Sequence, residues 1–398
     1  MARHGTVVTG LERLLADGPG RAGLPVGARI GVVAHPASVD TELRHAVDRL
    51  LGSPDLRVVR LFGPEHGVRG EAQDMEPVEG SIDPETRLPV SSLYGDDPHS
   101  LRPEPDEISE LDAVIYDLQD VGSRYYTFVY SLSYVMEVAR DVDRPVVVLD
   151  RPNPIGGVEV EGPVLDPALA SFVGRYPIPV RHGMTTGELA RLFNERFGIG
   201  CDLRVVPMLG WDRTMQFEDT ALPWVAPSPN MPTPATARVY PGGCLIEGTN
   251  LSEGRGTTQP FELVGAPWLP GRELAEALRA AGIPGVAFRA TSFRPMFQKH
   301  SGSTCLGVQA HVTDPVGFRP FATYLEVIRQ ASRLAPQAFG WRREPYEFET
   351  ERLAIDLLLG LPNLRTELEK GSTVDDMERS WAEGLAEFAE HRAASLLY

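Results

Sequence analysis

Five short runs of aliphatic and β-branched residues, separated by stretches with helical spacing, constrain this chain more than any other feature. They lie at 29–34 (RIGVVA), 56–62 (LRVVRLF), 113–117 (AVIYD), 145–149 (PVVVL) and 203–207 (LRVVP). A strand with one wet face alternates apolar and polar side chains, whereas a nearly continuous apolar run is covered on both faces, as in a parallel sheet. Helix-like segments at 41–51, 126–140 and 185–197 supply that cover. Thr185 and Glu188 have T-x-x-E capping spacing, which starts a helix just after Arg181-His182-Gly183. The expected class is α/β, with a Rossmann-like, doubly wound parallel sheet over residues 1–235. Proline and glycine cluster between 224 and 256 and read as a long ordered loop or domain junction. Beyond it, helices are expected at 272–281 and 318–334, strands at 286–290 and 307–312, and a helical tail at 377–397. That makes a second, smaller α/β domain over 236–398. A length of 398 residues suits two domains.

Composition narrows the function. The formal net charge is −17, from 55 acids against 38 bases, and no basic face is available for nucleic acid or an anionic membrane. Cys201, Cys244 and Cys305 are scattered without CxxC spacing, which argues against a zinc ribbon and fits a reducing compartment. The N-terminal residues show no apolar signal-peptide core, so a cytoplasmic location is expected. P-loop, HExxH and GxSxG motifs are absent. A GxGxxG match at 18–23 precedes the first strand instead of following it, the wrong context for a dinucleotide. Neither a cofactor nor a metal is expected.

In an open parallel sheet, ligands bind beyond the carboxyl ends of the strands. GPEHGVRG, with Glu65, His66 and Arg69, follows the second run. DLQDVGSRYYTF, with Asp117, Asp120, Arg124, Tyr125 and Tyr126, follows the third, and DRPNPIGG, with Asp150, Arg151 and Asn153, follows the fourth. Each residue has a plainer reading too. Aspartates at strand ends commonly cap helices or anchor turns, and a glutamate in a glycine-bounded loop is commonly solvated. The two tyrosines equally suit sheet cover or a sugar-stacking wall. In the junction, Glu247, Asn250, Glu253 and Arg255 lie in a loop suited to closing a cleft or to serving as a hinge. A carboxylate-rich, arginine-bearing, aromatic-lined cleft fits acid/base hydrolysis of a polar small molecule.

FGPEHGVRG (62–70), DLQDVGSRYYTF (117–128), LDRPNPIGG (149–157), VEGPVL (160–165), PVRHGMTTGELA (179–190), PSPNMPT (227–233) and CLIEGTNLSEGRGTTQPFELVGAPW (244–268) together resemble one family. They are similar to the exo-β-N-acetylmuramidases of glycoside hydrolase family 171, and the likeness covers nearly the whole chain. The resemblance implies an active-site cleft between the two domains and release of N-acetylmuramic acid from the non-reducing ends of peptidoglycan fragments. It implies that the glutamate of the PEHG segment, here Glu65, is catalytic. It also brings Arg181, His182 and Asn230 among the substrate-binding candidates. Where relatives carry a TNxT-like run after the first strand, this chain has Ala34-His35-Pro36-Ala37.

Glycoside hydrolysis needs a proton donor and a group that stabilises an oxocarbenium-like transition state. Glu65 is the expected acid and Asp120 the expected second group, with Asp117 and Glu253 as alternatives. An arginine should meet the lactyl carboxylate of a muramic acid, with Arg124, Arg151, Arg181 and Arg255 as candidates. Two other functions stay open: a non-catalytic muropeptide- or sugar-binding protein, and a hydrolase of another acidic amino sugar. In each case the partner is a small molecule.

Overall fold

The computed structural model describes residues 6–70 and 80–398. Among the described residues up to 206 lie the strands β1 (Ala28–Val33), β2 (Leu56–Gly63), β3 (Ser81–Ile82), β4 (Pro89–Ser92), β5 (Ala113–Tyr116), β6 (Val146–Leu149), β7 (Glu161–Val164), β8 (Pro179–Arg181) and β9 (Leu203–Val206). Seven form a sheet in the order β3-β4-β2-β1-β5-β6-β9. Every pairing in it is parallel except β3 with β4 at one edge.

The apolar runs form this sheet because both faces are dry. Ile30, Val32, Ile115, Val147 and Leu149 pack into one cluster with Leu11 and Leu14 of α1 (Gly10–Asp17) and Val47 of α2 (Ala46–Leu51). The alternate residues Val33, Val114, Tyr116, Val146 and Val148 face a larger cluster. A short helix α3 (Pro105–Ser109), then α4 (Phe128–Asp141) and α5 (Thr186–Glu195), cover that side. The capping box at Thr185 and Glu188 forms as its spacing requires. The strand order reverses between β1 and β5, which opens a crevice at their carboxyl ends.

The second half contributes α6 (Pro234–Gly243), a three-stranded antiparallel sheet β10-β12-β11 and α7 (Gly271–Ala281). The strands are β10 (Leu263–Ala266), β11 (Val286–Phe293) and β12 (Cys305–Val312). α8 (Pro320–Leu334), α9 (Ala354–Leu359), α10 (Leu364–Lys370), α11 (Val374–Glu378) and α12 (Ala382–Ala393) complete it. Tyr240, Ile246, Val264, Phe321 and Leu358 join the same cluster as α4 and α5, so one apolar core runs through both halves.

Two expectations need correction. The proline- and glycine-rich stretch read as a loop contains α6: Thr233 caps it, Pro234 sits in its first turn, and Pro241 falls in its last. The helix expected over 41–51 begins only at Ala46, because Leu43 takes a positive φ of 62° and His45 supplies the cap. Among the described residues no helix is long and apolar enough to cross a membrane.

Candidate active site

A pocket opens where the crevice meets the second half, lined by Glu65, His66, Tyr125, Tyr126, Asn230, Glu247 and Arg255. Its void space is about 480 Å³ counting the open mouth, and its interior is about 40 Å³.

Glu65 and His66 sit in the turn after β2, where Gly67 N–H bonds to Pro64 O at 2.9 Å. His66 holds a left-handed φ of 72°. Strain of this kind in a non-glycine residue persists where the surroundings enforce it, and it concentrates at functional sites. Glu65 is only 7% exposed, and its Oε2 accepts the Thr127 hydroxyl at 2.9 Å. Thr127 precedes α4 and itself lines the pocket.

The opposite wall comes from the second half. Glu247 Oε1 accepts from Arg255 Nη2 at 2.6 Å and its Oε2 from the Tyr346 hydroxyl at 2.7 Å. Burial pushes the Glu247 carboxyl up, but the Arg255 charge, its hydrogen bond and Tyr346 bring it below the ordinary carboxylate value. Glu247 is therefore ionised. Burial drives the phenols of Tyr125, Tyr126, Tyr240 and Tyr346 well above their ordinary value, so all four stay neutral. Glu347 completes the acidic lining and accepts from Tyr94 at 3.1 Å. It and Phe348 both adopt positive φ, 46° and 67°.

The other sequence candidates are built into the surrounding frame. Arg151 grips Asp117 through two bonds of 2.6 and 2.8 Å, both groups buried. Arg69 clasps Asp83 in the same way and holds that carboxyl well below the usual range. Arg124 is fully buried and donates to the carbonyls of Pro163 (2.9 Å) and Leu358 (2.7 Å), tying the halves together. Arg181 donates to Ile155 O at 2.7 Å and lies at 3.4 Å from Phe318 O. Asp150 accepts from Thr185, Gly187 N–H and Tyr398. Asn153 bridges Met184 O and Ile155 N–H, and Asn250 bridges Ala338 O and Gly340 N–H. Asp120 accepts Gly122 N–H at 2.7 Å, faces His182 Nε2 at 3.5 Å and is not among the residues that line the pocket, although its charge acts on Tyr126. Glu253 lies 3.6 Å from Arg255 Nε and is not among the lining residues. His35, the departure from the family run, is fully buried and accepts Gln119 N–H, outside the pocket.

Sequence reading missed Thr127, Ser228, Tyr240, Phe261, Tyr346 and Glu347 as lining residues. Thr127 and Ser228 lie inside motifs already noted, DLQDVGSRYYTF and PSPNMPT. Tyr346 and Glu347 lie in no motif, and only long-range packing brings them to the site. Among the described residues, no group of three or more His, Cys, Asp or Glu is placed to hold a metal ion.

Comparison with known proteins identifies the family. A model described as exo-beta-N-acetylmuramidase NamZ, N-terminal, matches residues 30–235, and its C-terminal counterpart matches 238–398. A Bacillus subtilis (strain 168) protein named peptidoglycan beta-N-acetylmuramidase NamZ is 47% identical over 397 residues, covering 100% of this chain and 92% of its own. Two crystal structures of DUF1343-family proteins from Bacteroides fragilis superpose on it. One has a TM-score of 0.88 at 32% identity, over 98% of this chain and 99% of that one. The other has a TM-score of 0.76 at 29% identity, over 99% of each. A two-domain α/β chain with an acidic, aromatic pocket and these relatives is a glycoside hydrolase. It belongs to the exo-beta-N-acetylmuramidase NamZ family.

Proposed function

We propose that this exo-acting muramidase releases N-acetylmuramic acid from the non-reducing ends of peptidoglycan fragments, with Glu65 as general acid. The observation that carries the assignment is a buried glutamate, held by Thr127, facing a pocket across from the ionised Glu247. Glu65 delivers the proton to the departing oxygen. Glu247 is favoured over Asp120 as the second carboxylate because it lines the pocket, and its charge opposes the positive charge that develops on the sugar. Of the four arginine candidates, Arg255 alone lines the pocket and is assigned to the lactyl carboxylate. Tyr125 and Tyr126 give the sugar an aromatic wall.

The test is a muramic-acid-capped disaccharide followed by mass spectrometry, with Glu65→Gln beside it. Wild type should release free N-acetylmuramic acid. Glu65→Gln should lose about 10²–10⁴-fold in turnover while its melting temperature stays nearly unchanged. Undiminished release of N-acetylmuramic acid from the disaccharide by Glu65→Gln would remove Glu65 from the mechanism, since a sugar leaving group needs the proton. Binding without any product release would favour the sugar-binding alternative.

A further inference from the structure

The chain has 38 basic residues and only two of them are lysines, Lys299 and Lys370. Lys370 pairs with Glu367 on the surface. Lys299 sits in the loop between β11 and β12, and its ammonium reaches across to the active-site segment. Its Nζ donates to the carbonyls of Ile246 (2.9 Å), Glu247 (3.2 Å) and Leu251 (3.1 Å) and to Glu253 Oε2 (3.0 Å). The first two acceptors belong to the 3₁₀ turn Cys244–Gly248, where Ile246 O also accepts the Thr249 N–H at 3.0 Å and the Thr249 hydroxyl at 2.8 Å, so the ammonium meets the carbonyl that closes the turn. The flanking residues Gln298 and His300 both take left-handed backbone, with φ of 63° and 58°. His300 is itself tied to Asn250 O at 2.8 Å. Two strained residues, one on each side of a lysine whose side chain reaches four acceptors, mark a position that the surroundings enforce.

Resting on the reading of the pocket as the active site, we infer that Lys299 is a positioning residue: it fixes the segment 246–253, and with it Glu247, against the pocket. The geometry favours a lysine. Three N–H donors on a compact charge can share four acceptors that converge from different directions, whereas a guanidinium offers a planar fork. Charge adds to the role. Glu247 and Glu253 both approach Arg255, at 2.6 and 3.6 Å, and Lys299 neutralises Glu253 so that Arg255 is not shared between two carboxylates. Glu247 is also faced by Tyr346, Tyr240 and the Cys244 thiol, all neutral because burial raises them well above their ordinary values. Arg255 and Lys299 are therefore the cations that hold it ionised.

The experiment compares Lys299→Met, Lys299→Arg and Lys299→Cys alkylated with 2-bromoethylamine, which restores an ammonium at lysine length. Activity on 4-nitrophenyl N-acetylmuramide is normalised to the folded fraction by circular dichroism. Lys299→Met should lose at least tenfold in kcat/KM, with the acidic limb of the pH profile moved to higher pH. Lys299→Arg should stay near the Met variant, and the aminoethylated cysteine should regain most of the lost activity. Wild-type activity per folded molecule in Lys299→Met, an unmoved acidic limb, or full activity in Lys299→Arg would each overturn the inference. Glu65→Gln run in parallel on the muramic-acid-capped disaccharide, whose sugar leaving group needs the proton, separates the two claims. If it is dead while Lys299→Met is normal, only the lysine's role fails; if it is fully active, the pocket reading fails and takes the inference with it.

Discussion

The proposed mechanism gives Arg255 two tasks that pull on one guanidinium. It neutralises Glu247 from inside the wall, stacks over Phe261 at 5.2 Å, and is the pocket arginine assigned to an anionic sugar. Removing one partner of a buried pair strands the other charge, at a cost of about 3–5 kcal/mol. Arg255→Ala should therefore lower stability by about that much, as read by urea denaturation. Arg255→Lys keeps a cation without the fork. It should fold well yet lose at least tenfold of the preference for N-acetylmuramide over N-acetylglucosaminide. Unchanged kcat/KM ratios on the two glycosides would dissociate Arg255 from the lactyl group.

At the level of elements, α6 shows how close packing can hide a helix from its own sequence. A Cβ added to Gly242 would lie 2.0 Å from the Pro320 carbonyl at the start of α8, and one on Gly243 would lie 2.8 Å from Phe261. The glycines that make this stretch look like a loop are those that let α6 lie directly against α8, at Gly242, and against Phe261, at Gly243. Gly242→Ala should destabilise by about 1–3 kcal/mol or more, seen as a drop in melting temperature with activity at low temperature retained. Strands β1, β2, β5, β6 and β9 were legible because a dry sheet demands continuous apolar runs, a strictly local signal. Glu65, Tyr125 and Tyr126 were legible because they follow such strands directly. Tyr346 and Glu347 were not, because a residue more than 200 positions away in sequence becomes a pocket wall only through tertiary contacts such as Tyr94 with Glu347. The arginines misled for a related reason: Arg124 and Arg151 follow strands too and Arg181 ends β8, but carbonyls and Asp117 use them inside the frame.

Across the whole molecule, the two halves are sewn together by the tail as well as by the core. The Tyr398 hydroxyl donates to Asp150 at 2.8 Å, and Leu397 N–H to Glu188 at 2.8 Å, beside the start of α5. Burial pushes the Asp150 carboxyl from 3.8 up to about 6, against the opposing pull of its bonds from Thr185, Gly187 and Tyr398. A raised acid in the folded state favours folding most when protonated in both states. Its contribution is complete below pH ~4 and is lost as pH rises through about 6. That displacement corresponds to roughly 3 kcal/mol. Relative to wild type, the stability of Asp150→Asn should therefore improve by about that amount between pH 4 and pH 7. Parallel pH curves for the two proteins would show that Asp150 titrates normally.

The pocket interior of about 40 Å³ has a kinetic consequence. Such a space holds a water molecule or two, while ligand sites usually measure about 300–1,000 Å³. A hexosamine carrying acetamido and lactyl arms must displace part of the wall before it can dock. Capture is then gated by how often the cavity breathes, so stopped-flow association should run well below the collision limit and level off with rising ligand concentration.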